Sequence, residues 1–109
     1  MADYPEMIKK LPEIDLKAPG VVGRLLQAEN QQIVFFEMAP GVIPPHSHQA
    51  QWGIIVEGEI DLTIDGRTMT YKAGDSYFIP AGAEHGGVIK VGCKALDVFD
   101  EPARYTPKK

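Results

Sequence analysis

The three histidines of this 109-residue chain all fall in two short segments rich in glycine and proline. The first reads Gly41-Val42-Ile43-Pro44-Pro45-His46-Ser47-His48, and the second runs from Gly74 through Pro80, Gly82 and Glu84 to His85. In a strand, His46 and His48 are two apart and project from one face, so both imidazoles can meet one ion without distorting the backbone. Pro44-Pro45 holds the approach to them extended. Imidazole nitrogen suits zinc, iron, nickel, copper or cobalt, and three imidazoles leave coordination positions for water or substrate. The single cysteine, Cys93, excludes an internal disulfide and any multi-cysteine zinc site. It is expected to be a small buried hydrophobe.

A site drawn from both segments needs strands that carry His85 back to the face of His46 and His48. The chain has the punctuation for it: eleven glycines and nine prolines leave only residues 24–39 as a window long enough for an ordinary helix. That window splits at Glu29-Asn30-Gln31, and the β-branched and aromatic run Ile33-Val34-Phe35-Phe36 points to two strands around a turn. Ile60-Asp61-Leu62-Thr63-Ile64 alternates apolar and polar side chains, and Asp65-Gly66 supplies the positive-φ positions of a tight hairpin. Thr68-Met69-Thr70-Tyr71 reads as the return strand and residues 76–79 as the next, with two more strands at 88–91 and 94–100. Short strands with turn residues between them indicate an all-β sandwich or small barrel in a single domain. The barrel is expected over residues 21–105. Residues 1–20 form an arm, or an edge strand around Ile14 and Leu16, and residues 106–109 form a tail.

Composition sets further bounds. With 15 Asp and Glu against 11 Lys and Arg, the net charge of −4 argues against nucleic acid, which needs a basic stripe. The first residues carry neither a basic leader nor an apolar stretch, so no membrane association and a cytoplasmic location are expected.

The two histidine segments resemble the two motifs of the cupin superfamily. Gly41, His46, His48, Gln51 and Gly58 follow the order of the first, and Gly74, Pro80, Gly82 and His85 match the second position for position. Two departures stand out: Gln51 follows His48 by three residues where the family usually has four or five, and Ile89 replaces an Asn that often ends the second motif. The resemblance implies a double-stranded β-helix (jelly-roll) barrel, a homodimer, and His46, His48, Gln51 and His85 as ligands of one divalent transition metal per subunit, such as Zn, Ni, Fe, Mn or Cu. Gln49 is the alternative fourth ligand; Gln51 keeps the spacing to Gly58. Four neutral ligands leave a divalent ion its full formal charge, so the site should favour anions, polarise a carbonyl and lower the pKa of bound water toward ~7.

The tail, Leu96-Asp97-Val98-Phe99-Asp100-Glu101-Pro102-Ala103-Arg104-Tyr105, is similar to the ending of single-domain cupins of pectin and alginate breakdown, which ring-open unsaturated uronates. That similarity implies Asp97 as the proton-transfer residue, Phe99 as a pocket wall and Arg104 as the holder of a substrate carboxylate. Asp100-Glu101-Pro102 stands where the pattern has Ser-Pro, one residue more. If Leu96 and Val98 fill the barrel instead, Asp97 is solvated. Trp52, Phe78, Tyr77, Phe36 and Met38 are candidates to line a pocket or to pack the core and a subunit interface. The function expected is metal-dependent tautomerisation or ring opening of a small anionic sugar acid or similar enolisable substrate. The alternatives are a cupin dioxygenase using Fe, Cu or Ni, and a non-catalytic binding or sensing protein for a small anion.

Overall fold

Where the chain reverses is set by turn chemistry. Asp65 at φ 47° and Gly66 at φ 80° both take left-handed backbone, the combination a two-residue primed hairpin turn needs. Ile64 pairs with Arg67 across it. Gly74 and Gly82, also at positive φ, close the turns on either side of the next strand.

The computed structural model describes residues 3–108. A helical turn, α1 (Glu6–Lys9), precedes seven strands: β1 (Val21–Gln27), β2 (Gln32–Met38), β3 (Gly41–His46), β4 (Gln51–Ile64), β5 (Arg67–Lys72), β6 (Ser76–Ile79) and β7 (His85–Phe99). All pairings between them are antiparallel. This is the all-β barrel expected, with β1 and β2 flanking the Glu29-Asn30-Gln31 turn.

Two long strands build both walls. The last part of β7 pairs with β2 and with Gln51 to Ile55 of β4, while its first part pairs with β3 and with Glu59 to Ile64 of β4. β4 likewise pairs first with β6 and then with β5. One layer is therefore β1-β2-β7-β4-β6 and the other β3-β7-β4-β5, and register shifts between Ile55 and Asp61 mark where the strands pass from one to the other. Gly58 sits in this bend at φ 80°, and a Cβ there would collide with the carbonyl of Gly92. The separate strands expected at 88–91 and 94–100 are thus one: the glycine between them marks a bend, not a turn.

Alternation then sorts side chains. Val34 and Phe36 of β2, Ala95 and Phe99 of β7, Ile55, Ile60 and Leu62 of β4, and Ile79 of β6 are all buried between the layers. Cys93 is buried with them, as expected.

Residues 3–20 form an arm. Glu13 and Ile14 make only single bridges, to Arg24 and Pro107, yet Ile14 is buried in the core. Tyr4 donates from its hydroxyl to the carbonyls of Phe36 and Ala95. The tail is tied to the arm, with Lys108 donating its N–H to the Glu13 carbonyl at 2.8 Å. Among the described residues, no helix is long and apolar enough to cross a membrane.

Candidate metal centre

His46 ends β3 and pairs in register with His85, the first residue of β7. His48 lies beyond the strand, in the connection to β4, so the expectation that His46 and His48 share one strand face is corrected. Pro44 and Pro45 have no N–H to donate, and the register of β3 is disrupted between Ile43 and His46. The chain leaves the sheet there and His48 swings in from the loop. The outcome is still convergent: a ligand nitrogen from each of the three imidazoles lies within 4.8 Å of the others.

The imidazoles are oriented as ligands. His46 Nδ1 is 3.0 Å from the Pro44 carbonyl, His48 Nδ1 2.7 Å from that of Gln49, and His85 Nδ1 2.9 Å from that of Ala83. A carbonyl only accepts, so each Nδ1 carries the proton and each Nε2 is left with a lone pair. His48 Nε2 and His85 Nε2 face each other at 3.0 Å. Two lone pairs at that separation repel unless a cation lies between or beside them. Burial pushes the His48 pKa down to about 4 and lowers that of His85, so the cation the cluster suits at neutral pH is a metal and not a proton. Backbone carbonyls behind each ring are the outer support typical of histidine metal sites.

Gln51 opens β4 and lines the same cavity as the three imidazoles. Its Nε2 donates to Asp97 Oδ1 at 2.8 Å. With the amide nitrogen committed, its Oε1 is the atom left to join the imidazoles. Three neutral nitrogens and an amide oxygen suit a divalent transition metal.

Asp97 is buried on the inner face of β7, while Leu96 and Val98 turn outward. Its Oδ1 also accepts from the Tyr77 hydroxyl at 2.6 Å, so both donors converge on one oxygen. Gly53, opposite Asp97 and Tyr77 in the sheet, makes the room: a Cβ there would overlap Asp97 Oδ1 and the Tyr77 ring. Burial raises the Asp97 pKa to about 6, against the lowering effect of the Tyr77 and Gln51 hydrogen bonds. Burial raises that of Tyr77 as well, which keeps its hydroxyl a donor.

The imidazoles, Gln51 and Asp97 line one cavity of about 380 Å³. Phe99 and Arg104 line it too, so the extra residue between them is taken up by the bends that follow β7. Arg104 lies over the rings of Phe99 (5.7 Å) and Tyr105 (5.0 Å), and its Nε is buried without a hydrogen-bond partner. Buried Gln32 fixes this segment by accepting from the Tyr105 N–H and donating to the Tyr105 carbonyl, both at 2.9 Å. Nothing in the sequence marked Gln32 or Gly53 for these roles; only strand pairing brings them there.

Tyr77, Phe36 and Met38 line the cavity, whereas Trp52 and Phe78 do not. Trp52 and Phe78 pair across β4 and β6 on the outer face and are 41% and 59% exposed. Adjacent strand residues face opposite ways, so an inward Gln51 requires an outward Trp52, and an inward Tyr77 an outward Phe78.

Comparison with known proteins agrees with this geometry. A family model described as a cupin domain matches residues 34–99. Among solved structures, an RmlC-like cupin from Shewanella frigidimarina is 27% identical, with 94% of each chain covered and a TM-score of 0.78. KdgF from Halomonas sp. is 23% identical over 84% of this chain and 86% of its own, with a TM-score of 0.73. Oxalate decarboxylase from Bacillus subtilis, a protein with Mn(II) centres, is 25% identical over 88% of this chain but 29% of its own, with a TM-score of 0.72.

Proposed function

The chain belongs to the cupin family, and from that premise we propose that it is a metal-dependent enzyme that moves a proton on a small enolisable anion, tautomerising or ring-opening it. The observation that carries the proposal is a buried carboxylate, Asp97, lining the same cavity as three imidazoles whose Nδ1 atoms are all engaged by carbonyls. All three histidines are used as ligands, so the proton carrier must be another group.

The residues divide the work. His46, His48, Gln51 and His85 would hold a divalent ion, which supplies Lewis-acid polarisation of a carbonyl. Arg104, with an unpartnered Nε beside Phe99, holds the substrate carboxylate. Tyr77 and Gln51 pin Oδ1 of Asp97, which leaves Oδ2 to take a proton from the carbon next to the carbonyl and return it elsewhere on the same substrate. A carboxylate with a pKa of about 6 serves both directions near neutral pH. The unsaturated uronates handled by the cupins that the tail resembles are one member of this substrate class.

The test is hydrogen–deuterium exchange at the carbon next to the carbonyl of small 2-oxo acids, followed by NMR with metal-loaded protein under anaerobic conditions. Exchange without oxygen separates this chemistry from an oxygenase. Asp97→Asn should keep its metal, by elemental analysis, and lose exchange by ~100-fold or more. Undiminished exchange in that variant removes Asp97 from the mechanism.

A further inference from the structure

The wall of the cavity is at odds with a polyhydroxylated substrate. Beyond the metal ligands, the polar side chains facing it are Tyr77, Asp97, Arg104 and Tyr105. Tyr77 is committed to Asp97. The rest of the lining is apolar and comes from several elements at once: Leu16 from the arm, Phe36 from β2, Ile43 from β3, Ile60 and Leu62 from β4, and Ile79 from β6. Three of these, Ile60, Leu62 and Ile79, are buried members of the main core, so they cannot turn away to expose a polar group.

A sugar acid in this space would place its carboxylate at Arg104 and the cation, and its hydroxyls against isoleucine, leucine and phenylalanine. Each hydroxyl taken from water without a partner weakens binding by about tenfold. Each methylene buried in its place strengthens binding by about fourfold. A volume of about 380 Å³ is small for a ligand pocket, yet it exceeds what a carboxylate and an adjacent carbonyl fill.

We infer that the substrate is an amphipathic monoanion, an enolisable carboxylate whose body is an unsubstituted alkyl or aryl group seated against Leu16, Phe36, Ile60 and Leu62. This rests on the proton-transfer reading for the word enolisable, but the preference for an apolar body stands on the wall itself.

Binding separates the two. Acetate, propionate, butyrate, hexanoate and gluconate are titrated calorimetrically into zinc-loaded protein. Affinity should climb about fourfold per methylene from acetate until the cavity is filled, and gluconate, equal to hexanoate in carbon number, should bind no tighter than acetate. Leu16→Ser, a change in the arm outside the ligand set, should weaken hexanoate by about tenfold and leave acetate unchanged. A flat series, gluconate as tight as hexanoate, or no binding by any member overturns the inference. If the series climbs but the zinc-loaded protein exchanges no deuterium into 2-oxobutyrate, the apolar pocket stands and the proton-transfer reading falls.

Discussion

Replacing Asp97 by Asn should make the metal-free protein more stable at neutral pH while disabling it. Asp97 is buried at 2% exposure and its pKa rises from 3.8 to about 6 because burial penalises the charged form. At 1.36 kcal/mol per unit, this shift corresponds to roughly 3 kcal/mol. The native pKa lies above the unfolded one. Below the unfolded value, both states hold the proton and the carboxyl costs nothing extra. As pH rises through the window between 3.8 and about 6, the unfolded chain releases its proton more readily, and native stability falls until the native pKa is passed. Asn cannot ionise, so the variant escapes this loss and keeps acceptor oxygen for Tyr77 and Gln51. His48 and His85 titrate in an overlapping window with the opposite sign: their native pKa values are lowered, so their contribution is lost as pH falls. Both proteins contain them, and the difference between variant and parent isolates Asp97. Urea denaturation with chelator present should show near-equal stability at about pH 4 and an advantage for Asp97→Asn of about 2–3 kcal/mol at about pH 8. Metal loading should narrow the gap, because a nearby cation favours the carboxylate. A variant less stable than the parent at the higher pH, or a difference that does not change with pH, would refute the reasoning.

Gly53→Ala introduces a Cβ into Asp97 Oδ1 and the Tyr77 ring; the shift this forces in a packed core should cost about 2–4 kcal/mol, read by thermal or urea denaturation. A loss below about 1 kcal/mol would show that the triplet has slack. Cys93 is buried, and burial raises its pKa to about 11, so a thiol reagent at mildly alkaline pH should label it only after unfolding; rapid labelling of native protein would contradict its placement. Finally, Leu26, Ile33, Val98, Trp52 and Phe78 form one apolar row across five strands of the outer face. We propose that a second copy covers it: sedimentation should give twice the protomer mass, and Trp52→Glu should return it to one, whereas an unchanged mass in the variant would place any interface elsewhere.

The candidate metal ligands were legible because their signal is local. The two motifs that carry the cupin resemblance, with their turn glycines, mark His46, His48 and His85, and Gln51 ahead of Gln49, before any fold is known, and the Asp65-Gly66 hairpin is equally local. What the sequence left open was parity and pairing. Whether Asp97 faced in depended on Leu96 and Val98 facing out, which a strand of alternating character does not reveal by itself. Trp52 was a candidate either for the pocket or for a packing surface; with Gln51 beside it facing in, strand alternation leaves Trp52 only the outer face. Gln32 and Gly53 could not be found in this way. Their roles exist only through pairings that join β2 to the tail and β4 to β6 and β7.

Gly53, Tyr77 and Asp97 make sense as a set and not singly. A glycine inside a strand weakens it by roughly 0.5–1 kcal/mol relative to alanine. An enclosed carboxylate costs more, and a buried tyrosine hydroxyl needs a partner. Together the glycine makes space, the hydroxyl satisfies one carboxylate oxygen, and the amide of Gln51 ties the same oxygen to the ligand cluster. An apolar residue at Asp97 with a phenylalanine at Tyr77 would fill the same space without a buried charge. The arrangement present is the one that delivers a held, half-satisfied carboxylate to the cavity, and that is why the destabilising residue at its centre is the strongest candidate for the chemistry.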